Sequence, residues 1–271
     1  MNTLLIAWLF SAIPFGSYFY SWSQQGWDAS TRMEWTHYCG QYVEDSTKLP
    51  LPKIKPQGTY TGIKASIKTQ QAKFQQQYQA AKTTAAKDKV VQEAGLYVTE
   101  QLVNGLFPHW YGTTWSFDGY TSVPNKGKVG CSYFVSTTLL HAGFNLNRYT
   151  LAQQGPVSEA QSLALGQALI EVEVGLDFQD FVPTIAAKCK EGLYFIGLGH
   201  SHVGYLFYRE GEVYFMQSSY GKSMSVVIDY ADESDILNTF GSFVLVPITT
   251  SSVLMEKWVT GGEISIVKGT D

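Results

Sequence analysis

Leu193-Tyr-Phe-Ile-Gly-Leu198, His202-Val-Gly-Tyr-Leu-Phe-Tyr-Arg209 and Glu212-Val-Tyr-Phe-Met-Gln217 follow one another with only Gly199-His-Ser201 and Glu210-Gly211 between them. The runs are rich in aromatic and β-branched residues, which suit a pleated, buried surface, and the first two end at glycine-bearing turns. Connections this short join antiparallel neighbours, because a parallel crossover needs about a dozen residues or more. Met224–Asp229 and Ser242–Ile248 continue the pattern. Upstream of Gly192 the periodicity is helical instead. Helices first and an antiparallel sheet afterwards predict an α+β fold.

The spacing of Phe134, Val135, Thr138, Leu139 and Ala142 predicts a helix from Cys131 to His141, with Gly143 as its stop. Further helices are predicted from Pro156 through Ile170 and from Phe178 to Cys189. From Ile63 to Leu106 the chain is free of Pro and rich in Gln, Ala and Lys. Its apolar residues (Ile67, Phe74, Tyr78; Val91, Ala94, Val98, Leu102) recur at helical spacing, so one long amphipathic helix or two in series is predicted. Phe107–Gly130, with Pro, Gly and clustered aromatics, reads as a loop, and residues 45–62 read as an irregular connector.

The segment Met1–Gly16 holds an apolar run of signal-peptide length, yet no Lys or Arg precedes it and no A-x-A site follows. It falls short of the roughly 20 residues that span a bilayer. A secretion signal and a buried N-terminal segment both stay open. The expected divisions are 1–25, this apolar segment; 26–105, a mostly helical extension; 106–250, the domain with the sheet; and 251–271, a C-terminal tail.

Composition narrows the function classes. Of 271 residues, 45% are hydrophobic and 15% charged, which excludes a disordered chain. A net charge of −4 with scattered basic residues excludes a nucleic-acid surface. Aromatics, at 14%, suit a filled core or a sugar- or peptide-binding groove. Cys39, Cys131 and Cys189 cannot all pair, and no C-x-x-C motif occurs, so neither a disulfide scaffold nor a structural zinc site is expected. His37 and Cys39 lack a second ligand pair. A Cys39–Cys189 disulfide stays open for an exported chain, leaving Cys131 as the free thiol. No metal, no cofactor, no nucleic-acid partner and no stable membrane span are expected.

Cys131 begins its predicted helix directly after Gly127-Lys-Val-Gly130. A helix N-terminus carries partial positive charge and unsatisfied N–H groups, which stabilise a thiolate, lower the thiol pKa and offer donors to an oxyanion. A cysteine here can also be a small core residue. A thiol nucleophile needs a base. His141 lies ten residues along the same helix and faces away, whereas His202 opens a strand close to His200. If Glu210-Gly211 is a two-residue turn, Arg209 pairs with Glu212 and Gly204 lies opposite Gln217. Gln217 is then the diagonal neighbour of His202, able to orient its ring. A three-residue turn puts Gln217 on the other face.

Pro108-His-Trp-Tyr-Gly112, then Gly130-Cys-Ser-Tyr-Phe-Val135 with a helix ending at His141-Ala-Gly-Phe144, then His202-Val-Gly-Tyr-Leu206 and Gln217-Ser218 occur in this order. Together they resemble the core of NlpC-type papain-like cell-wall peptidases, with their P-Y-x-W-G-G, D-C-S-G-L-V and H-V-G-I-Y motifs and a later polar residue. Trp115-Ser-Phe-Asp-Gly119 and Gln217-Ser-Ser-Tyr220 resemble a group of uncharacterised bacterial proteins with this core. The match covers residues 107–220. It implies a papain-like core, an antiparallel sheet packed on the Cys-bearing helix, preceded by a helical extension. It implies amide hydrolysis through a thioester by a Cys131–His202–Gln217 triad, on a peptide of bacterial peptidoglycan. It places His109, Trp110, Tyr111 and Trp115 on the substrate and oxyanion side, and the protein outside the cytoplasm, secreted or periplasmic, with a cytoplasmic location as the alternative. Gly130 stands where the family has Asp, Tyr133 where it has Gly, and His109 where it has a substrate-side Tyr. Deamidation or transglutamination by a secreted effector, and a non-catalytic binding module, are the rival readings.

Overall fold

The computed structural model describes residues 51–52, 55–175 and 178–269. The apolar N-terminal run, His37 and Cys39 lie outside the described residues. The described residues belong to one compact unit. Helix α1 (Tyr60–Ala80) starts at Thr59, whose side chain accepts the Gly62 N–H, and α2 (Thr84–Glu100) starts at Thr83, which accepts the Ala86 N–H. The second cap settles the open choice in favour of two helices, because Thr83 satisfies a donor that only a new helix start leaves free.

The expected loop at Phe107–Gly130 is corrected at its beginning. Helix α2 runs on through a wide π turn, Gln101–Leu106, into α3 (Phe107–Trp110). Pro108 gives the physical reason: in a regular helix its ring presses on the carbonyl four residues back, and a π turn moves that carbonyl aside. Phe107 and Trp110 thereby enter the core, fully buried. Strands β1 (Thr114–Trp115) and β2 (Lys128–Val129) then pair in parallel before α4 (Cys131–His141).

After α5 (Arg148–Ala152), helix α6 (Pro156–Ala164) is shorter than expected. Leu165 and Gly166 adopt left-handed backbone, with φ of 51° and 82°, and end it. Ile170, expected inside that helix, instead opens strand β3 (Ile170–Glu173). Helix α7 (Phe181–Lys188) precedes the main strands, β4 (Gly192–Leu198), β5 (His202–Arg209), β6 (Glu212–Ser218), β7 (Val226–Tyr230) and β8 (Ser242–Pro247). They build a six-stranded sheet in the order β3-β8-β4-β5-β6-β7, every neighbouring pair antiparallel. The protein is thus a mixed α+β fold with an antiparallel sheet.

Alternation along β5 and β6 gives the sheet two apolar faces. Val203, Tyr205, Tyr214 and Met216 belong to the core that contains Phe134 and Val135 of α4, while Leu206, Val213 and Phe215 belong to the one that contains Phe181 and Ile185 of α7. The Tyr205 hydroxyl lies 2.9 Å from the Val135 carbonyl and 2.8 Å from the Thr138 hydroxyl, fixing α4 against the sheet. The stretch expected to be a tail contributes α8 (Ser252–Thr260). Its Trp258 is fully buried and donates to the Ala142 carbonyl at the end of α4, at 2.7 Å.

Candidate active site

Gly130 is the N-cap of α4, in extended conformation and with no side-chain cap. A Cβ at this position would lie 3.1 Å from the Phe117 carbonyl oxygen and 3.3 Å from that of Ser116. The 116–117 backbone therefore passes where a side chain would stand, which gives a physical reason for glycine immediately before Cys131. The half-buried Cys131 thiol has the Ser132 hydroxyl 4.0 Å away, and the backbone N–H groups of Val203 and Ser132 favour its thiolate. Burial, followed by the nearby Glu159 carboxyl, outweighs these donors and pushes the thiol pKa up. The helix start was expected to lower it; desolvation of the charged form wins here.

The candidate base and its partner come from the hairpin. Glu210 and Gly211 both have positive φ, 52° and 84°, and Arg209 pairs with Glu212, so the turn is the two-residue kind. The pairing runs on to Tyr205 and Met216, which sets Gly204 beside Gln217 and His202 on the diagonal. His202 Nε2 and Gln217 Oε1 are 2.7 Å apart, both residues buried. With the amide oxygen as acceptor, Nε2 carries the ring proton and Nδ1 is the basic nitrogen. Burial holds the imidazole pKa down at about 4, partly offset by Gln217. Gly204 is needed between them: a Cβ there would meet the Phe215 ring at 2.7 Å and the Met216 carbonyl at 2.8 Å. Among the described residues no hydrogen bond joins Cys131 Sγ to the imidazole, so the resting pair is a neutral thiol beside a neutral ring.

Behind Gln217 stands Asp229 on β7, on the same face of the sheet. Burial raises its pKa to about 6, Asp235 adds to the rise, and the Gln217 amide opposes it. The buried Gln217 Nε2 faces this carboxyl as its donor.

Cys131 and His202 line one cleft of about 800 Å³, together with Trp115, Phe117, Tyr133 and Tyr220. Tyr220 meets the His202 ring edge-on at 5.1 Å and lies 6.0 Å from Trp115, so it shields the imidazole from one side. Neither Tyr220 nor Glu159 was assigned a role by sequence reasoning. Tyr220 lies beyond the end of its strand, where no spacing rule applies. Glu159 carried a signal, as the sole charged residue of α6. It is fully buried, accepts the Ser132 hydroxyl proton at 2.6 Å, and burial raises its pKa to about 8.

Of the residues placed on the substrate side, Trp115 lines the cleft; His109, Trp110 and Tyr111 do not. The continuation of the helix through Trp110 accounts for this. Trp110 donates to the Tyr60 hydroxyl at 2.8 Å, and that oxygen lies 2.8 Å from His141 Nδ1 in a buried relay. His109 meets the Tyr60 ring at 5.4 Å, and the Tyr111 hydroxyl is hidden from solvent. The three side chains of this segment are thus not among those that line the cleft beside the thiol. His200 lines the cleft rim, exposed. Cys189 is a buried free thiol, and its proposed partner Cys39 is not among the described residues. No group of three or more His, Cys, Asp or Glu among the described residues could hold a metal ion, and no described helix is long and apolar enough to cross a membrane. Compared with protein-family models, curated proteins and solved structures, the chain matches none.

Proposed function

We propose that the protein is a papain-like cysteine hydrolase of amide bonds, with Cys131 as nucleophile, His202 as base and Gln217 as orienting residue. The observation that carries this reading is the 2.7 Å bond from His202 to Gln217 in the cleft that also holds a helix-start cysteine. Because both groups rest neutral, the imidazole is free to act as a base. As substrate displaces water, His202 Nδ1 takes the thiol proton while sulfur attacks the carbonyl carbon. The oxyanion is met by the N–H groups at the start of α4, which have no side-chain cap. The tetrahedral intermediate expels the amine, protonated by His202, and leaves a thioester. Water, deprotonated by His202, then releases the acid and restores the thiol.

The resemblance to NlpC-type enzymes makes a peptidoglycan peptide the first substrate to try, and with it a location outside the cytoplasm. Incubating the chain with muropeptides and weighing the products tests this. A new amine and acid terminus, absent with Cys131→Ala, supports the reading. The absence of a resting hydrogen bond between sulfur and imidazole favours one rival, a binding module; that rival predicts muropeptide binding without cleavage.

A further inference from the structure

The cleft is uneven in charge. Among the residues that line it, Asp118 is the sole Asp, Glu, Lys or Arg, and no cation pairs with it among the described residues. A further acidic group lies near it: Asp235 acts on Tyr220, which lines the cleft, whereas the buried Glu159, with its pKa raised to about 8, rests protonated and adds no charge. The guanidinium of Arg148 lies behind the rim, but it is buried. Its terminal nitrogens donate to Thr137, to the Tyr120 carbonyl and to the Tyr149 hydroxyl, and its plane faces the rings of Tyr149 and Tyr133 at 4.3 and 5.6 Å. It braces the aromatic rim from a buried position.

The rim itself is apolar. Phe117 is 85% and Tyr120 62% exposed, large rings held open to solvent beside the thiol. Exposed aromatic surface gathered at a cleft marks a place where ligand is stacked rather than a filled core. Gln153, also on the wall, supplies a neutral donor and acceptor.

We propose that this cleft selects acyl donors that are uncharged or cationic around the scissile amide and carry a flat or apolar group beside it, and that it discriminates against carboxylates. The inference rests on Cys131 being the nucleophile. A carboxylate entering here must shed water with no cation to receive it, and repulsion from one carboxylate about 6 Å away at a half-exposed site amounts to roughly a tenfold change in affinity. A cationic group gains by a similar factor. A cell-wall stem peptide fits this cleft when its carboxylates are amidated or when its diamino residue presents a free amine.

The test uses the full chain and three acetyl-dipeptidyl chloromethyl ketones that differ only in the residue next to the warhead, Phe, Lys or Glu. Sulfur forms a bond to the methylene carbon, chloride leaves, and the thiol proton passes to His202. Second-order labelling rates are read by intact mass, with the labelled cysteine located by peptide mapping. The Phe and Lys probes should label Cys131 roughly tenfold or more faster than the Glu probe. Asp118→Asn should shrink the lead of Lys over Glu several-fold and leave the Phe rate within about twofold. A Glu probe that labels Cys131 as fast as the other two overturns the charge selection while leaving the hydrolase reading intact. Failure of all three, and of iodoacetamide, to label Cys131 in preference to Cys189 overturns the hydrolase reading beneath it. As a second measurement, Trp fluorescence of Cys131→Ala titrated with the matching unreactive peptide amides should rank Phe and Lys above Glu, and equal affinities would overturn the selection without any appeal to thiol chemistry.

Discussion

At the scale of single residues, the proposed task of Gln217 is defined by one hydrogen bond. Its oxygen would set the tautomer and plane of His202 without adding charge, so its loss should misorient the proposed base rather than remove it. Gln217→Ala should lower kcat by about tenfold to a hundredfold, as do other losses behind a reactive ligand. Gln217→Leu should do as badly while filling the same volume, and Gln217→His should keep part of the activity because a ring nitrogen accepts the same proton. Steady-state kinetics on the three variants checks this; a fully active Leu variant contradicts it. His202→Ala should abolish turnover, whereas His200→Ala, on the exposed rim, should keep kcat within several-fold of the parent.

At the scale of elements, the start of α4 and the β5–β6 hairpin had readable sequence signals, and α3 did not. Glu210-Gly211 pointed to a hairpin but left its turn at two or three residues; the two-residue turn, Arg209 against Glu212, is what makes Gln217 the partner of His202. The α4 boundaries followed from apolar spacing and Gly143. Pro108 misled, because proline is normally a helix stop, and only the π turn lets the helix carry Trp110 inward. The thiol pKa misled as well: dipole and donors are local to the sequence, but burial and Glu159 come from the tertiary fold. Gly130 yields a prediction at this scale. Gly130→Asp places the Asp of NlpC-type enzymes before the proposed nucleophile, yet its Cβ meets the 116–117 carbonyls at 3.1–3.3 Å. It should lower stability by about 1–3 kcal/mol through overpacking and slow alkylation of Cys131. Urea unfolding and iodoacetamide kinetics read the two effects; an unchanged midpoint and rate contradict the close approach.

For the molecule as a whole, buried titratable groups set a pH dependence of stability. His202 and His141 are held neutral, each with a folded pKa near 4, so the unfolded chain binds more protons below about pH 6.5 and stability falls as pH drops from there. Glu159, raised to about 8, and Asp229, raised to about 6, work the other way, since the folded state keeps protons that the unfolded chain releases. Their stabilising contribution is complete below the unfolded carboxyl range and is lost as pH rises through the folded values. Between about pH 6.5 and 8 Glu159 is the member of this set still titrating, so stability should decline there. Glu159→Gln should flatten that decline and raise Tm at pH 8 relative to the parent. Thermal melts across this range check it, and a parallel decline in both proteins contradicts the buried, protonated carboxyl.

The proposed chemistry requires sulfur at position 131 to form a bond to an acyl carbon. The direct measurement is rapid acid quench of the chain mixed with an amidated muropeptide, followed by intact mass and peptide mapping. A transient adduct of the acyl fragment on Cys131, appearing with the released amine and absent in Cys131→Ala and His202→Ala, is the expected result. Cleavage that persists in Cys131→Ala, or an adduct located at Cys189, would contradict it.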